Sequence, residues 1–461
     1  MAGLPVPGPE LTAATPGPGG IPDEVVDLVE ALRSAGHAAY IVGGSLRDLL
    51  LGREPLDWDL TSDARPERLL ELFPGAVYEN RFGTVAVRRA GETFEITTFR
   101  RDHDYADFRR PHRVEFGETI EEDLARRDLT VNAIAWGGRP GQPFSVVDPF
   151  DGRDDLARRT LRAVGDPDAR FGEDALRMIR AIRLAATLEF AIEPATLAAI
   201  DRHAELVRHL SGERVAAELD RLLAASRPSL GLRPLESTGL LRWISPELAA
   251  QRGVPQNKTP GEDLWDHTVR TVDAAPGGRP VVRIAALLHD VGKPETFADD
   301  RFIGHEAAGA RIAGELLGRL RFPRATIERV VLLIRHHMFA YEPGWGDAAV
   351  RRFIAKIGPA ALEELLELRE ADNVGSGRAR DTDDLADLRR RVAAELAAEV
   401  ALDRADLAVD GDDLIDELDL EPGPRLGAIL DGLLEAVLDD PALNDRPTLL
   451  VLAQARLAGE T

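Results

Sequence analysis

Residues 41–60 read IVGGSLRDLLLGREPLDWDL, and this stretch decides the fold of the N-terminal part of the chain. A β-branched run ends in Gly43-Gly44, the chain turns into a helix at Ser45, and Asp57 and Asp59 follow shortly after. Paired glycines let main-chain N–H groups approach a phosphate closely, and a helix start adds the positive end of its dipole. Side chains on an extended strand alternate with a period of two, so an Asp-x-Asp pair there puts both carboxylates on one face. Such a pair can hold divalent metal against a triphosphate. Two oxygen-ligated metals about 3.5 to 4 Å apart can activate an attacking hydroxyl and neutralise a leaving pyrophosphate. Either element alone is equally a tight turn or two solvated acids. In this order they predict a nucleotidyl-transfer site, with Gly43 and Gly44 on the phosphates and Asp57 and Asp59 as catalytic metal ligands.

Outward from this stretch the pattern is mixed and then helical. Residues 1–21 (PVPGPE, TPGPGG) are too rich in Pro and Gly to bury much surface and read as a disordered tail. Residues 22–150 combine a helix, PDEVVDLVEALRSAG, with the β-rich runs AAYIVGG, TVAVRRA and TFEITTFR, giving an α+β head. After Asp151 the β signals stop and helical runs separated by Pro and Gly continue almost to the end. The expected pieces are a helical neck (151–245), the linker SPELAAQRGVPQNKTPGED (245–263), a histidine-bearing helical domain (260–375) and an acidic helical body and tail (376–461). The fold class is therefore α+β, a mixed N-terminal domain followed by all-α regions, with no internal repeat.

Composition excludes several classes. The 461 residues contain no cysteine, which removes disulfide scaffolds and zinc fingers. No run approaches the roughly 18 apolar residues of a spanning helix, and the N-terminus lacks a basic segment followed by an apolar one. A soluble cytoplasmic protein with no membrane partner is expected. Fifty-seven basic against 80 acidic residues, a net charge of −23, argue at face value against nucleic acid. The excess is uneven. Residues 401–461 hold 15 acids and 4 bases, whereas residues 151–250 hold 16 acids and 15 bases and are nearly neutral.

Histidine is also uneven. Five of the ten (His267, His289, His305, His336 and His337) fall within 71 residues, in the segments WDHTV, ALLHDVGKP, GHEAAG and IRHHM, with READN following. Adjacent His289 and Asp290 at a helix end can offer nitrogen and oxygen to one metal, with His267 and Asp372 completing the shell from neighbouring helices.

The GGxxRD turn and the Asp-x-Asp pair resemble the opening of the class II tRNA nucleotidyltransferase and poly(A) polymerase family. EEDLARRDLTVNAIA (121–135) resembles its second motif, with Leu129 where Phe is usual, and DPFDGRDDLARRTLRAVGDPDARFGEDALRMIRAIRLAA (148–186) its third and fourth. The match is close from residue 23 to about 225, looser beyond, and nearest to actinobacterial members. It implies a polymerase-β-like head, Mg²⁺, and addition of CCA to tRNA 3′ ends from CTP and ATP. Arg47, Arg126 and Arg127 suit triphosphate and sugar contacts as bidentate donors, although Arg126 and Arg127 are equally a solvated helix face. Asn132 suits a ribose or main-chain contact, Asp128 falls in the same motif, and Glu95 is a possible third carboxylate or a strand residue facing water. Arg101–Arg110 resembles the family's flexible loop.

In GEDALR, Asp174 and Arg177 are i and i+3 on an expected helix, and Arg180 and Arg183 extend the stripe. Cytosine and adenine both present an exocyclic amino donor beside a ring-nitrogen acceptor, which a carboxylate plus a guanidinium complements; guanine and uracil present the opposite pattern. The resemblance assigns Asp174 and Arg177 as such a protein template. The histidine segment resembles an HD-superfamily metal-dependent phosphohydrolase. It implies a divalent metal (Mn²⁺, Ni²⁺ or Mg²⁺), with His305 and His337 as further ligands and His336 as the alternative to His337. An HD fold kept as scaffold with an idle site is the competing reading. PGPRLG, ahead of an acidic helix near the end, falls where the family grips tRNA, and is equally an acidic helical cap. The competing activities are a poly(A) polymerase, against which NRFGTVAV (80–87) lacks a doubled-basic GRRF-type signature, and a protein-modifying nucleotidyltransferase.

Overall fold

A computed structural model of the chain describes residues 20–80, 83–103, 113–256, 261–377 and 382–459. It divides into two compact units, Met1–Pro246 and Glu247–Thr461.

The first unit opens with α1 (Asp23–Ser34), whose Val25, Leu28, Val29 and Leu32 recur at helical spacing and are buried against β1 (Ala39–Val42). The chain continues through α2 (Gly43–Leu50), β2 (Asp59–Ser62), α3 (Pro66–Leu72), β3 (Val77–Asn80), β4 (Thr84–Arg89) and β5 (Glu92–Thr98). Then come β6 (Arg100–His103), β7 (Arg113–Phe116), α4 (Ile120–Ala125), β8 (Ala135–Gly138) and β9 (Ser145–Val147). Seven strands form one sheet in the order β3-β4-β5-β2-β1-β8-β9, and β6 and β7 pair separately. Every neighbour in the large sheet is antiparallel except β2 and β5, which run parallel with Asp59 opposite Glu95. All four residues of β1 are buried, so it is the spine from which α2 departs toward the site.

The helical part of this unit comprises α5 (Gly152–Ala157), β10 (Thr160–Leu161), α6 (Pro167–Glu173), α7 (Leu176–Leu188), β11 (Ala191–Ile192) and α8 (Pro194–His203), then α9 (Gly212–Leu223), α10 (Ser229–Ser237) and α11 (Leu240–Ile244). Strand structure does not stop at Asp151, because β10 and β11 pair in parallel. Two residues each are too few to leave a period-2 pattern in sequence. α7 is buried on most of its surface and packs on both α9 and α10.

A short α12 (Pro246–Ala249) leads to α13 (Leu264–Ala274), whose start is fixed by a capping box between Asp263 and Asp266. There follow α14 (Pro280–Leu288), α15 (Lys293–Thr296), α16 (His305–Arg319), α17 (Arg324–His336), α18 (Asp347–Ile357), α19 (Pro359–Gly375) and α20 (Thr382–Ala397). α14 packs on α13, α17 and α19, which brings the ends of four helices together around His289. The chain closes with α21 (Gly411–Leu418), α22 (Pro424–Asp439) and α23 (Arg446–Ala458), which share a core of their own around Leu414, Leu433 and Leu449. PGPRLG starts α22, with Gly423 as its cap and Pro424 at the first position. Here Arg404 pairs with Asp431 and Arg446 with Asp413 and Glu417, so these two of the segment's few bases already face acids. No helix among the described residues is long and apolar enough to cross a membrane.

Candidate active site and histidine cluster

α2 begins at Gly43 rather than at Ser45, and Gly43 takes φ 76°. A Cβ there would lie 2.9 Å from Arg127 Nη1 and 3.2 Å from Asp59 Oδ2, so only glycine lets the main chain come this close to the acid. Ser45 Oγ donates to Val42 O at 2.9 Å and accepts from Asp59 N at 3.4 Å, tying the helix start to β2. Asp57 is not on the strand, contrary to the expectation that both acids share one extended face. β1 pairs with β2 only as far as Ile41 opposite Leu60, since the chain leaves β1 for α2 at Gly43. The ladder therefore begins at Asp59 and leaves Asp57 in the bend before it.

The two carboxylates nevertheless line one cavity of about 780 Å³, shared with Gly43, Gly44, Arg47, Arg126, Arg127, Asp128, Asn132, Asp174, Arg177 and Arg180. Burial raises the Asp59 carboxyl above its usual range and Asp57 adds to this, while Arg127 opposes it. Glu95 does not line the cavity: it is exposed on β5 in register with Asp59. Although the residue is open to solvent, partial desolvation first, then Glu79, Asp59 and Asp57, raise its carboxyl.

Two of the acids that hold the arginines, Asp123 and Asp48, are ones sequence reasoning did not single out. Asp123 on α4 is wholly buried and accepts from Arg126 (Nε 3.0 Å, Nη2 2.6 Å) and Arg127 (Nη2 3.2 Å). Burial would push its carboxyl up, but the two guanidinium groups outweigh this and hold it below its ordinary value. The i, i+3, i+4 spacing of Asp123, Arg126 and Arg127 was the readable signal. Arg47 donates to both oxygens of Asp48 at 2.9 Å and to Asn132 Oδ1 at 2.7 Å. Asn132 Nδ2 donates to Asp128 Oδ1 at 3.0 Å, and Arg180 Nε to Asp128 Oδ2 at 2.8 Å. Although Asp128 is buried, Arg180 and the Asn132 bond keep its carboxyl well below the usual range.

Asp174 does not share a helix with Arg177. α6 ends at Glu173, Asp174 is extended (φ −142°, ψ 110°), and α7 begins at Leu176. The physical reason is a local competition: Asp174 Oδ1 accepts from Leu176 N at 3.0 Å, so the side chain caps the next helix instead of continuing the last. Its Oδ2 accepts from Arg214 Nη2 at 2.7 Å. Arg177 donates to Arg126 O at 2.9 Å and pairs with Glu173, and Arg183 Nε donates to Glu218 Oε2 at 2.6 Å. Arg214 and Glu218 lie far from GEDALR in sequence and carried no signal there.

In the second unit two groups of side chains bring possible metal-ligand atoms within 4.8 Å of one another: His267, His289 and Asp290, and Asp290, His305 and His337. All are buried, and Asp290 belongs to both. Asp372 Oδ1 lies 3.2 Å from His267 Nε2. His337 enters the cluster, while His336, one residue earlier on α17, is half-buried outside it. Nδ1 of His289, His305 and His337 lies 2.8, 2.8 and 2.6 Å from the carbonyl oxygens of Ala286, Phe302 and Ile334. A carbonyl only accepts, so Nδ1 carries the proton and each Nε2 keeps its lone pair. Nε2 of His305 and of His337 is buried, makes no hydrogen bond, and lies 3.4 and 3.7 Å from Asp290 Oδ1. Lone pairs facing a carboxylate in this way fit a cation between them. Beside the cluster is a cavity of about 440 Å³ lined by Asp290, Lys293, Arg301, His305, Arg369 and Asp372 among others.

Residues 39–162 match the poly A polymerase head domain, residues 189–252 the probable RNA and SrmB-binding site of polymerase A, and residues 264–376 the HD domain. The CCA-adding enzyme of Levilactobacillus brevis is 33% identical over 427 residues, 92% of this chain and 95% of that protein. The chain belongs to the CCA-adding enzyme family. The CCA-adding enzyme of Streptococcus thermophilus is 31% identical, covering 94% of this chain and 96% of its own. The Bacillus stearothermophilus CCA-adding enzyme in complex with CTP superposes with a TM-score of 0.72 at 28% identity, covering 95% of this chain and 98% of that one.

The head-domain segment holds Asp57, Asp59 and the Asp48–Arg47–Asn132–Asp128 network, and the HD segment holds His267, His289, Asp290, His305, His337 and Asp372. Asp174, Arg177, Arg180 and Arg183 fall between the first two matched segments, on α7 and the break before it. Of the expected flexible stretch Arg101–Arg110, residues 101–103 belong to β6, and residues 104–110 lie outside the described residues, as do 1–19 of the expected tail and 81–82 of NRFGTVAV.

Proposed function

We propose that this chain adds C, C and A in turn to the 3′ end of tRNA, taking CTP and ATP and releasing pyrophosphate. The observation that carries this is the single cavity in which paired acids (Asp57, Asp59) meet a carboxylate and guanidinium able to read a base edge (Asp174, Arg177). Residues 22–150 act as the catalytic head, 151–245 as the neck that binds nucleotide and acceptor end, 260–375 as an HD domain, and 376–461 as the part that meets the tRNA body.

In this reading the N–H groups at the start of α2, bared by Gly43 and Gly44, face the triphosphate, with Arg47, Arg126 and Arg127 as charged donors around it. Asp123 and Asp48 hold those guanidinium groups in place before substrate arrives, so little reorganisation accompanies binding. The tRNA 3′-hydroxyl oxygen attacks the α-phosphorus and gives up its proton to water, a P–O bond forms, and the bond to the pyrophosphate oxygen breaks in line. Asp57 and Asp59 line the same cavity, and the Asp57 charge adds to the rise of the Asp59 carboxyl; an all-oxygen donor set of this kind fits Mg²⁺. A divalent cation there supplies the charge that neutralises the leaving pyrophosphate and makes the attacking hydroxyl more acidic. Asp174 accepts from the exocyclic amino group of cytosine or adenine, and Arg177 donates to the neighbouring ring nitrogen. Uracil and guanine would set a carbonyl against the carboxylate and a ring N–H against the guanidinium.

Purified protein given tRNA lacking its 3′ end, with each labelled nucleotide alone and in mixtures, will add two C and one A and then stop. Long A tails would instead indicate a poly(A) polymerase, and absence of RNA labelling would sink both activities.

The second site supports a separate phosphoester-hydrolysing activity, with His267, His289, Asp290, His305, His337 and Asp372 as metal ligands. Four imidazoles fit Ni²⁺ better than Mg²⁺, and the two carboxylates admit Mn²⁺. Chelator-treated protein should melt at a higher temperature when MnCl₂ or NiCl₂ is restored, by the equivalent of about 2.7 kcal/mol at a hundredfold excess over Kd. Asp290→Asn, which alters both ligand groups at once, should remove the response. A wild-type melting curve indifferent to both metals would refute the site.

A further inference from the structure

We propose that Arg214 is a specificity-determining positioning residue, fixing the Asp174 carboxylate in the orientation that reads the base; this rests on Asp174 being the base-reading acid. α9 carries Arg214, Glu218 and Arg221 at i, i+4 and i+7, one face of the helix, and α9 packs on α7. Arg214 Nη2 meets Asp174 Oδ2 at 2.7 Å at one end of that face. Glu218, wholly buried, meets Arg183 at 2.6 Å toward the other. Arg221 pairs with Glu218 on α9 itself, so Arg214 and Glu218 are the two groups of this face that reach across, to Asp174 and to Arg183. Both ends of the base-reading stripe are tied to α9, while its middle is tied elsewhere, through Arg126 O and Asp128.

The position of Asp174 makes this tie consequential. It sits in the break between α6 and α7, and one oxygen is committed to the Leu176 N–H. A carboxylate held by one bond turns broadly about its last torsion, because a terminal sp³–sp² torsion has no sharp staggered wells. The bond from Arg214 to the second oxygen fixes the plane. An ionised carboxylate has about four acceptor positions, so with these two engaged others remain for a donor arriving from the cavity. Arg177 is held independently by Glu173 and Arg126 O. Loss of Arg214 should therefore disturb the carboxylate half of base recognition and leave the guanidinium half in place, a phenotype distinct from general damage to the neck.

The test measures kcat/KM for CTP, ATP, UTP and GTP on tRNA substrates for wild-type protein, Arg214→Ala, Arg214→Lys and Asp174→Ala, with melting curves for each. Arg214→Ala is expected to raise UMP incorporation relative to CMP by about 10- to 100-fold, with the larger change in KM for CTP. Methylguanidinium added to Arg214→Ala should restore selectivity in part, which a purely structural defect would not show. Arg214→Lys keeps the charge without the planar fork and should fall between; it carries the test if the alanine variant does not fold. If the Arg214 variants discriminate like wild type while Asp174→Ala does not, the positioning role is overturned and base reading by Asp174 stands. If Asp174→Ala also keeps wild-type discrimination, the base-reading role of Asp174 fails and Arg214 with it.

Discussion

Asp59→Ala will fold and will not extend tRNA. The side chain begins β2, reaches the cavity beside Asp57, and lies where Gly43 lets the main chain approach most closely. In the proposed mechanism it helps hold the charge that offsets a leaving pyrophosphate, a contribution of several kcal/mol, and its removal should lower kcat on the order of 10³-fold or more. Stability should move the other way. A carboxyl whose folded-state pKa lies above its unfolded value weakens the fold at pH values above that folded pKa, and the penalty disappears as pH falls below the unfolded value. Burial and Asp57 raise Asp59 in this sense. Near neutral pH the alanine variant should therefore melt at or above the wild-type temperature. Initial rates with labelled CTP, paired with thermal melts, read both quantities. A folded Asp59→Ala protein retaining activity within tenfold of wild type would remove Asp59 from the chemistry.

The second large effect is on choice of nucleotide. A site built to hydrogen-bond one edge pattern can reject another by about 10⁴ to 10⁵, and Asp174→Ala deletes the acceptor that penalises a carbonyl. Most of the discrimination against UTP and GTP should be lost, while CTP and ATP are still used through Arg177. The same change removes the cap on α7, costing about 1 kcal/mol, so the variant should be less stable yet folded. Asp174→Asn is the sharper probe. An amide can turn its NH₂ toward a carbonyl, so this variant should take up UTP more readily than the alanine form does. Competition between equal concentrations of labelled CTP and UTP measures the ratio directly. Unchanged ratios in both variants would place base selection on other residues.

Much of the first site was legible because its signals are local. Gly43-Gly44 and Asp57/Asp59 lie within one strand-turn-helix-strand passage, and the structure brings them to one cavity with all the other expected nucleotide contacts. What sequence missed arose from chain geometry and from distance. Periodicity ran a helix through GEDALR, because a capping carboxylate and a mid-helix one look alike until the Leu176 N–H is seen to be its partner. Asp57 fell off the strand because the turn at Gly43 removes its ladder partner. Adjacent His336 and His337 could not be separated by composition; the end of α17 separates them, turning His337 inward to the Ile334 carbonyl. The pairs made by Arg214 and Glu218 join residues about 35 to 40 positions apart, a separation at which one sequence carries no pairing information.

The base-reading stripe has a consequence for inheritance. If Asp174 and Arg177 specify the incoming nucleotide, the letters at the end of every tRNA this protein completes are spelled by its own gene and need be present in no tRNA gene. A copying error on a nucleic-acid template spoils one product. A single codon change at position 174 would instead rewrite the terminus of the whole tRNA population at once, and a change in any one tRNA could not correct it.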